Sequence, residues 1–161
     1  MAVVSKNFVN PGESLWSFIE SQVVDEKLRL YDIARPRPNL LRIFVDKNKE
    51  DSEKKGSGVS IDECVGLCRR LMHAFVVDGL ELGVTSEPEL EVSSPGLDRE
   101  LRLLHHFLDA VGSRVKLWIE GGVVAGVLGS LNDGVLTVKD SDSSPAGEFR
   151  LADIRKAQID F

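Results

Sequence analysis

Ser94-Pro95-Gly96-Leu97 divides a chain whose two halves carry different periodicities, and that division most restricts what it can fold into. Proline fixes its own φ at about −65° and the following glycine tolerates φ > 0, so the pair suits the central positions of a type II turn. Before the turn, helical and period-2 patterns alternate. Beyond it, after one short helical stretch, only brief period-2 runs broken by glycine remain. In a chain of 161 residues this predicts two small domains, 1–94 and 95–161, joined by a hinge over 93–99.

In the first half, Asn10-Pro11-Gly12-Glu13 offers a side-chain cap, a proline at the first helical position and a carboxylate three residues on. Leu15, Phe18, Ile19, Gln22 and Val23 then share one helical face. Leu28, Leu30, Tyr31 and Ile33 alternate with a frame shift, which predicts a bulged strand; Pro36-Arg37-Pro38-Asn39 turns the chain, and Leu41, Ile43 and Val45 return it as the second strand of a hairpin. Residues 47–59 are polar and aperiodic, hence a loop. It ends at Ser60 and Glu63, the S-x-x-E capping box, ahead of a stripe of Cys64, Leu67, Cys68, Leu71, Met72 and Phe75. Glu89 to Ser93 alternates again and supplies a third strand, giving αββαβ in two layers.

After the turn, Asp98 is positioned to cap a short helix with an apolar side of Leu101, Leu104, Leu108 and Val111, stopped at Gly112. Val115, Leu117 and Ile119 alternate with Arg114, Lys116 and Trp118. Gly121-Gly122 and Asn132-Asp133-Gly134 make turns around a strand from Val123 to Leu131, Val135 to Lys139 follows, and 141–147 loops before the last short strands. About five short, glycine-bent strands predict a small barrel, because closure removes exposed edges. The fold class is therefore α+β, a two-layer α/β domain followed by a small β-barrel.

Hydrophobic residues make up 42% of the chain and charged ones 29%, which is globular usage. The longest uncharged stretch, Gly121 to Asn132, is far short of the roughly 20 apolar residues a membrane helix needs, so a soluble chain is expected. Met1 to Asn10 carries neither a secretory apolar core nor an Arg-rich transit composition. Net charge of −6 argues against coating nucleic acid through bulk positive charge, so any RNA contact is local. Lys27 to Lys55 holds nine basic against five acidic residues, whereas Asp78 to Glu100 holds seven acidic residues against Arg99 alone, which predicts surfaces of opposite sign.

No residue set has the form of a catalytic centre. His105 and His106 are adjacent, about 100° apart on a helix, and read as solvated helix residues. Cys64 and Cys68 lack the partners of a tetrahedral metal site and read as small hydrophobes packed in the core of a reduced protein. His73, near Arg69 and Arg70, reads as exposed. No G-x-x-x-x-G-K-[ST] loop is present, so nucleotide hydrolysis has no motif behind it. Arg35, Arg37, Arg42, Lys47, Lys49, Lys54 and Lys55 gather on the hairpin and the loop after it, where cations can reach phosphates; interleaved Asp46, Glu50, Asp51 and Glu53 also fit an ordinary solvated surface.

The run Leu90-Glu91-Val92-Ser93-Ser94-Pro95-Gly96-Leu97-Asp98-Arg99 resembles the junction motif of the RimP ribosome maturation factors. The resemblance continues through Leu41 to Lys47, Gly58 to Cys64, Phe107, Gly112 to Lys116, Gly126-Val127-Leu128 and Ile154 to Ala157, nearly the whole chain. It departs from the family in a longer 47–58 segment and in two prolines in the first hairpin. The resemblance implies an SH3-like or Sm-like second domain and a non-enzymatic assembly factor that binds immature small ribosomal subunits through both domains. It further implies as partners small-subunit rRNA and a ribosomal protein near the decoding centre, without cofactor, metal, membrane or small-molecule substrate. The place of action it implies is the cytoplasm, or an organellar matrix or stroma if a transit segment is removed. Arg35, Arg37, Arg42, Lys47, Lys49, Lys54 and Lys55 are the expected rRNA contacts, and Ser93, Ser94, Pro95, Gly96, Leu97, Asp98 and Arg99 the expected hinge. The competing expectation is an Sm-like RNA-binding regulator.

Overall fold

A computed structural model describes residues 8–48, 58–140 and 145–161. The chain divides into two compact units, the first ending at Pro95 and the second beginning at Gly96.

The first unit has the element order α1 (Ser14–Asp25), β1 (Arg29–Arg37), β2 (Leu40–Asp46), α2 (Ile61–Asp78) and β3 (Glu89–Ser93). The three strands form one sheet in the order β1-β2-β3, β1 antiparallel and β3 parallel to the central β2. The expected bulge lies between Leu30 and Asp32, and the turn is confined to Pro38-Asn39, so β1 runs on through Pro36 to Arg37. Leu41, Ile43 and Val45 are fully buried on one face of β2, as are Ile19 and Val23 of α1, which packs against β1, and Leu67, Leu71 and Phe75 of α2, which packs against β3. Each such side chain contributes about 1.5–3 kcal/mol by burial. The Phe18 and Phe75 rings meet at 5.6 Å, and Arg70 of α2 donates to Gln22 and Asp25 of α1, both at 2.7 Å. Val9 donates to the Ile33 carbonyl at 2.9 Å, so the segment before α1 covers the outer edge of β1. β3 is the other edge strand, with no ladder on its far side among the described residues.

The expected capping box closes α2: Ser60 Oγ accepts the Glu63 N–H and the Glu63 carboxylate accepts the Ser60 N–H, each at 3.1 Å. The expected start of α1 is corrected. Asn10 caps nothing; it closes a turn with Glu13, and the helix begins at Ser14 without a side-chain cap. Proline followed by Gly12 turns the chain here before a helix can propagate.

The second unit holds α3 (Leu104–Asp109), β4 (Arg114–Ile119), β5 (Gly122–Asn132), β6 (Val135–Lys139), β7 (Pro145–Arg150) and, after a single 3-10 turn, β8 (Ile154–Ile159). All five strands pair antiparallel in the order β7-β6-β5-β4-β8. Asp133 and Gly134 both take positive φ, 50° and 77°, as a two-residue hairpin turn between β5 and β6 demands. Gly126 is required by contact: a Cβ there would stand 2.5 Å from the Lys139 carbonyl oxygen and 2.7 Å from Val138 Cγ1. β7 begins inside the stretch expected to be a loop, and the expected barrel is not closed. No ladder joins β7 to β8 among the described residues. The free side of β8 is taken by the chain just before α3, where Leu101 donates to Ala157 at 2.8 Å and Ile159 donates to Arg99 at 3.0 Å.

That pairing also corrects the expected helix after Asp98. Residues 99–101 are extended, and Asp98 receives hydrogen bonds from Phe161 and Gln158 instead of capping a helix. α3 starts at Leu104, and the Nδ1 of His106 accepts the N–H groups of Arg102 and Leu103 at 2.9 and 3.0 Å. His106 is 1% exposed, not solvated, while Leu104, Leu108 and Val111 of the expected apolar side lie open to solvent. The buried residues are Leu101, Phe107 and Ala110, which join Val115, Leu117, Leu128, Leu136 and Val138 in the core of this unit.

Candidate functional site

The basic residues singled out on the hairpin each meet an internal acceptor. Arg35 donates to the Pro38 carbonyl at 2.8 Å and to the Gly83 carbonyl at 2.7 Å, which makes it a clamp across the hairpin turn. Arg37 pairs with Glu89, and Arg42 with Glu91 at 2.6 Å. Both partners lie on β3, where the parallel register sets Arg42 directly beside Glu91. Lys47 meets Glu63 at 2.9 Å and its side chain is only 11% exposed. Lys49, Lys54 and Lys55 lie outside the described residues.

These four described cations therefore differ in what they can reach. The side chains of Arg37 and Arg42 are 60% and 47% exposed, and an exposed ion pair is worth only about 0–1 kcal/mol, so either arginine can trade its carboxylate for a phosphate at little cost. Arg35 and Lys47 hold the fold. Arg29, absent from the basic set expected from the sequence, forms a two-toothed pair with Asp46 at 2.8 and 2.7 Å across the β1–β2 register and ties the hairpin's open end.

The family-type junction begins where β3 ends. Ser93 is the last residue of that strand, Gly96 has φ of 80°, as the turn reading requires, and the chain bends at Leu97 and Asp98. Arg99 Nε donates back to the Gly96 carbonyl at 3.1 Å. Ser93 and Ser94 stand at one side of a groove of ≈ 440 Å³ between the first half of α2 and β3, whose apolar lining includes Ile61, Val65 and Val92.

Cys64 and Cys68 line that same groove, half-buried and unbonded to each other, which corrects their expected place in the core. The buried stripe of α2 is narrower than its spacing predicts: Leu67, Leu71 and Phe75 face the sheet, and the cysteines flank it. Burial pushes the Cys64 thiol above its ordinary value, and the Glu63 carboxylate beside it adds to the shift. Among the described residues no group of His, Cys, Asp and Glu side chains could hold a metal ion, and His73 is exposed on α2.

The model of the RimP N-terminal domain matches residues 18–98, half of the 161-residue chain, from the middle of α1 to the junction beyond β3. This protein belongs to the RimP family. The match takes in the hairpin with Arg37 and Arg42, the capping box of α2, the groove and Ser93 to Asp98. RimP proteins are ribosome maturation factors, which bind the small ribosomal subunit and constitute no known class of enzyme. No helix among the described residues is long and apolar enough to cross a membrane.

Proposed function

We propose that this RimP protein binds the immature small ribosomal subunit through both of its units and promotes maturation without making or breaking covalent bonds. The match over residues 18–98 carries the reading. The proposed partners are small-subunit rRNA, approached by Arg37 and Arg42 together with Lys49, Lys54 and Lys55, and a ribosomal protein near the decoding centre. Its place of action is the cytoplasm that holds the assembling particles.

Ser93 to Arg99 act as the hinge in this reading. Proline at 95 and a glycine with positive φ at 96 restrict the conformations of the connection, which lowers the entropy lost when both units engage one particle. The second contact then forms at a high effective concentration, so two weak surfaces give a useful combined affinity.

Sedimentation of a tagged chain in cell extract tests the proposal. Co-migration with free and immature small subunits is the expected result; recovery only with translating ribosomes, or with no ribosomal particle, overturns it.

A further inference from the structure

The outer face of the second sheet gathers cations around a tryptophan. In β4, Val115 and Leu117 enter the core, so Arg114, Lys116 and Trp118 stand on the opposite face. Strand register extends that face sideways. Trp118 is opposite Lys156 on β8 and the exposed Val123 on β5, while Arg114 is opposite Val127, which is itself opposite Lys139 on β6. The Lys156 ammonium lies 5.1 Å from the centre of the Trp118 ring, an arrangement in which the ring's negative face attracts the charge. The stem of Lys139 passes over Gly129, where a Cβ would stand 3.1 Å from Lys139 Cε.

The balance of charge on this face differs from that of the hairpin. Asp160 accepts from Arg114 at 3.1 Å and approaches Lys116 at 3.6 Å, but among the described residues no carboxylate pairs with Lys139 or Lys156. Glu120 follows the end of β4, while Glu100, opposite Gln158, and Glu148, opposite Thr137, stand towards the two edges of the sheet, so these acids flank the cations. In a chain of net charge −6, four cations on one sheet face are a local reversal of sign, and bulk charge cannot account for it. A half-buried indole set among them supplies the other half of a nucleic-acid platform, a flat ring on which an unpaired base can stack.

We propose that the face formed by Arg114, Lys116, Trp118, Lys139 and Lys156 binds a single-stranded stretch of RNA, with the lysines on phosphates and Trp118 under a base. Naming rRNA as its natural source rests on the small-subunit reading above. Paired RNA fits less well, because its bases are stacked inside the duplex and its grooves are recognised by shape.

The test is titration of the full chain into a fluorescently labelled, mixed-sequence single-stranded RNA oligonucleotide at several salt concentrations, followed by anisotropy. A triple variant, Lys116→Gln with Lys139→Gln and Lys156→Gln, is expected to flatten the log–log salt dependence by about 2, at about 0.7 for each phosphate of a single strand that is no longer neutralised. Trp118→Leu is expected to weaken binding roughly five- to 150-fold with the salt slope unchanged. A control in the first unit, Lys27→Gln with Arg69→Gln, both exposed, is expected to do neither. The lysine variants alter only exposed ends of side chains, so they decide the matter even if Trp118→Leu fails to fold. Equal weakening by the control, charge for charge, overturns the proposal. So does a wild-type chain that ignores the oligonucleotide while pelleting with small subunits, a result that leaves the family reading intact. Oligonucleotide binding without subunit binding does the reverse.

Discussion

Glu91 lies beside Arg42 in the parallel register of β2 and β3, and its carboxylate accepts the Arg42 Nε–H at 2.6 Å. Both side chains are about half exposed, so the pair is worth little to the fold. Glu91→Gln is therefore expected to change unfolding free energy by no more than about 0.5 kcal/mol. Arg37→Gln with Arg42→Gln is expected to weaken small-subunit binding and to flatten its salt dependence by up to about 0.9 for each phosphate left without its arginine. Denaturant titration and filter binding at several ionic strengths check the two statements. An unchanged salt slope removes the hairpin arginines from the rRNA contact.

His106 performs the cap that local sequence assigns to Asp98. Its Nδ1 serves two N–H groups in a place sealed from water, so His106→Ala leaves both donors without that acceptor. A loss of about 1–3 kcal/mol in chemical denaturation is expected. Asp98→Ala is expected to cost less, since it removes one long, exposed contact at 3.3 Å to the Phe161 N–H.

Gly126 sits where β5 and β6 crowd together. Gly126→Ala is expected to destabilise the second unit by about 1–3 kcal/mol, because the added methyl meets backbone that cannot step aside. Gly66→Ala, at a position where nothing stands within 4 Å, is the matched control and is expected to be neutral or slightly stabilising in its helix. Thermal unfolding of the two variants distinguishes packing from a general intolerance of substitution.

Cys64 provides a pH prediction. Its thiol is raised above the ordinary value by burial and by Glu63, so at any pH below that raised value it holds less thiolate than an unperturbed thiol and alkylates more slowly. The rate is expected to climb as pH rises through the raised value, and Glu63→Gln is expected to shift the curve towards lower pH. Mass-spectrometric timing of iodoacetamide labelling at Cys64, against a short unfolded peptide of the same sequence, measures this; equal rates at mildly alkaline pH contradict it.

Much of the fold is legible because the local signals are complete. The Ser60–Glu63 box and the stripe of Leu67, Leu71 and Phe75 specify α2 without help, and Leu41, Ile43 and Val45 alternate strictly along β2. Other elements are decided by partners distant in sequence. Asp98 has every local qualification for a cap, but pairing of Leu101 and Arg99 with β8 draws that stretch into the sheet. The same pairing forecloses the barrel, which no periodicity could reveal. The basic residues are visible one by one, yet which of them meet acids depends on the β2–β3 register. The alternation of Arg114, Lys116 and Trp118 is also visible, but Lys139 and Lys156 come to its face only through strand order.

A strand edge with no ladder, as β3 has on its far side among the described residues, is an invitation to any extended chain nearby, and β3 is short, follows Pro88 and carries Glu89 and Glu91 on its exposed side. Charge, brevity and a flanking proline are the usual guards against strand-by-strand aggregation. The residues that hold the hairpin arginines therefore have a second duty. A chain stripped of both carboxylates would keep its architecture and yet become stickier as its concentration rises, so solubility, more than shape, is what these two acids protect.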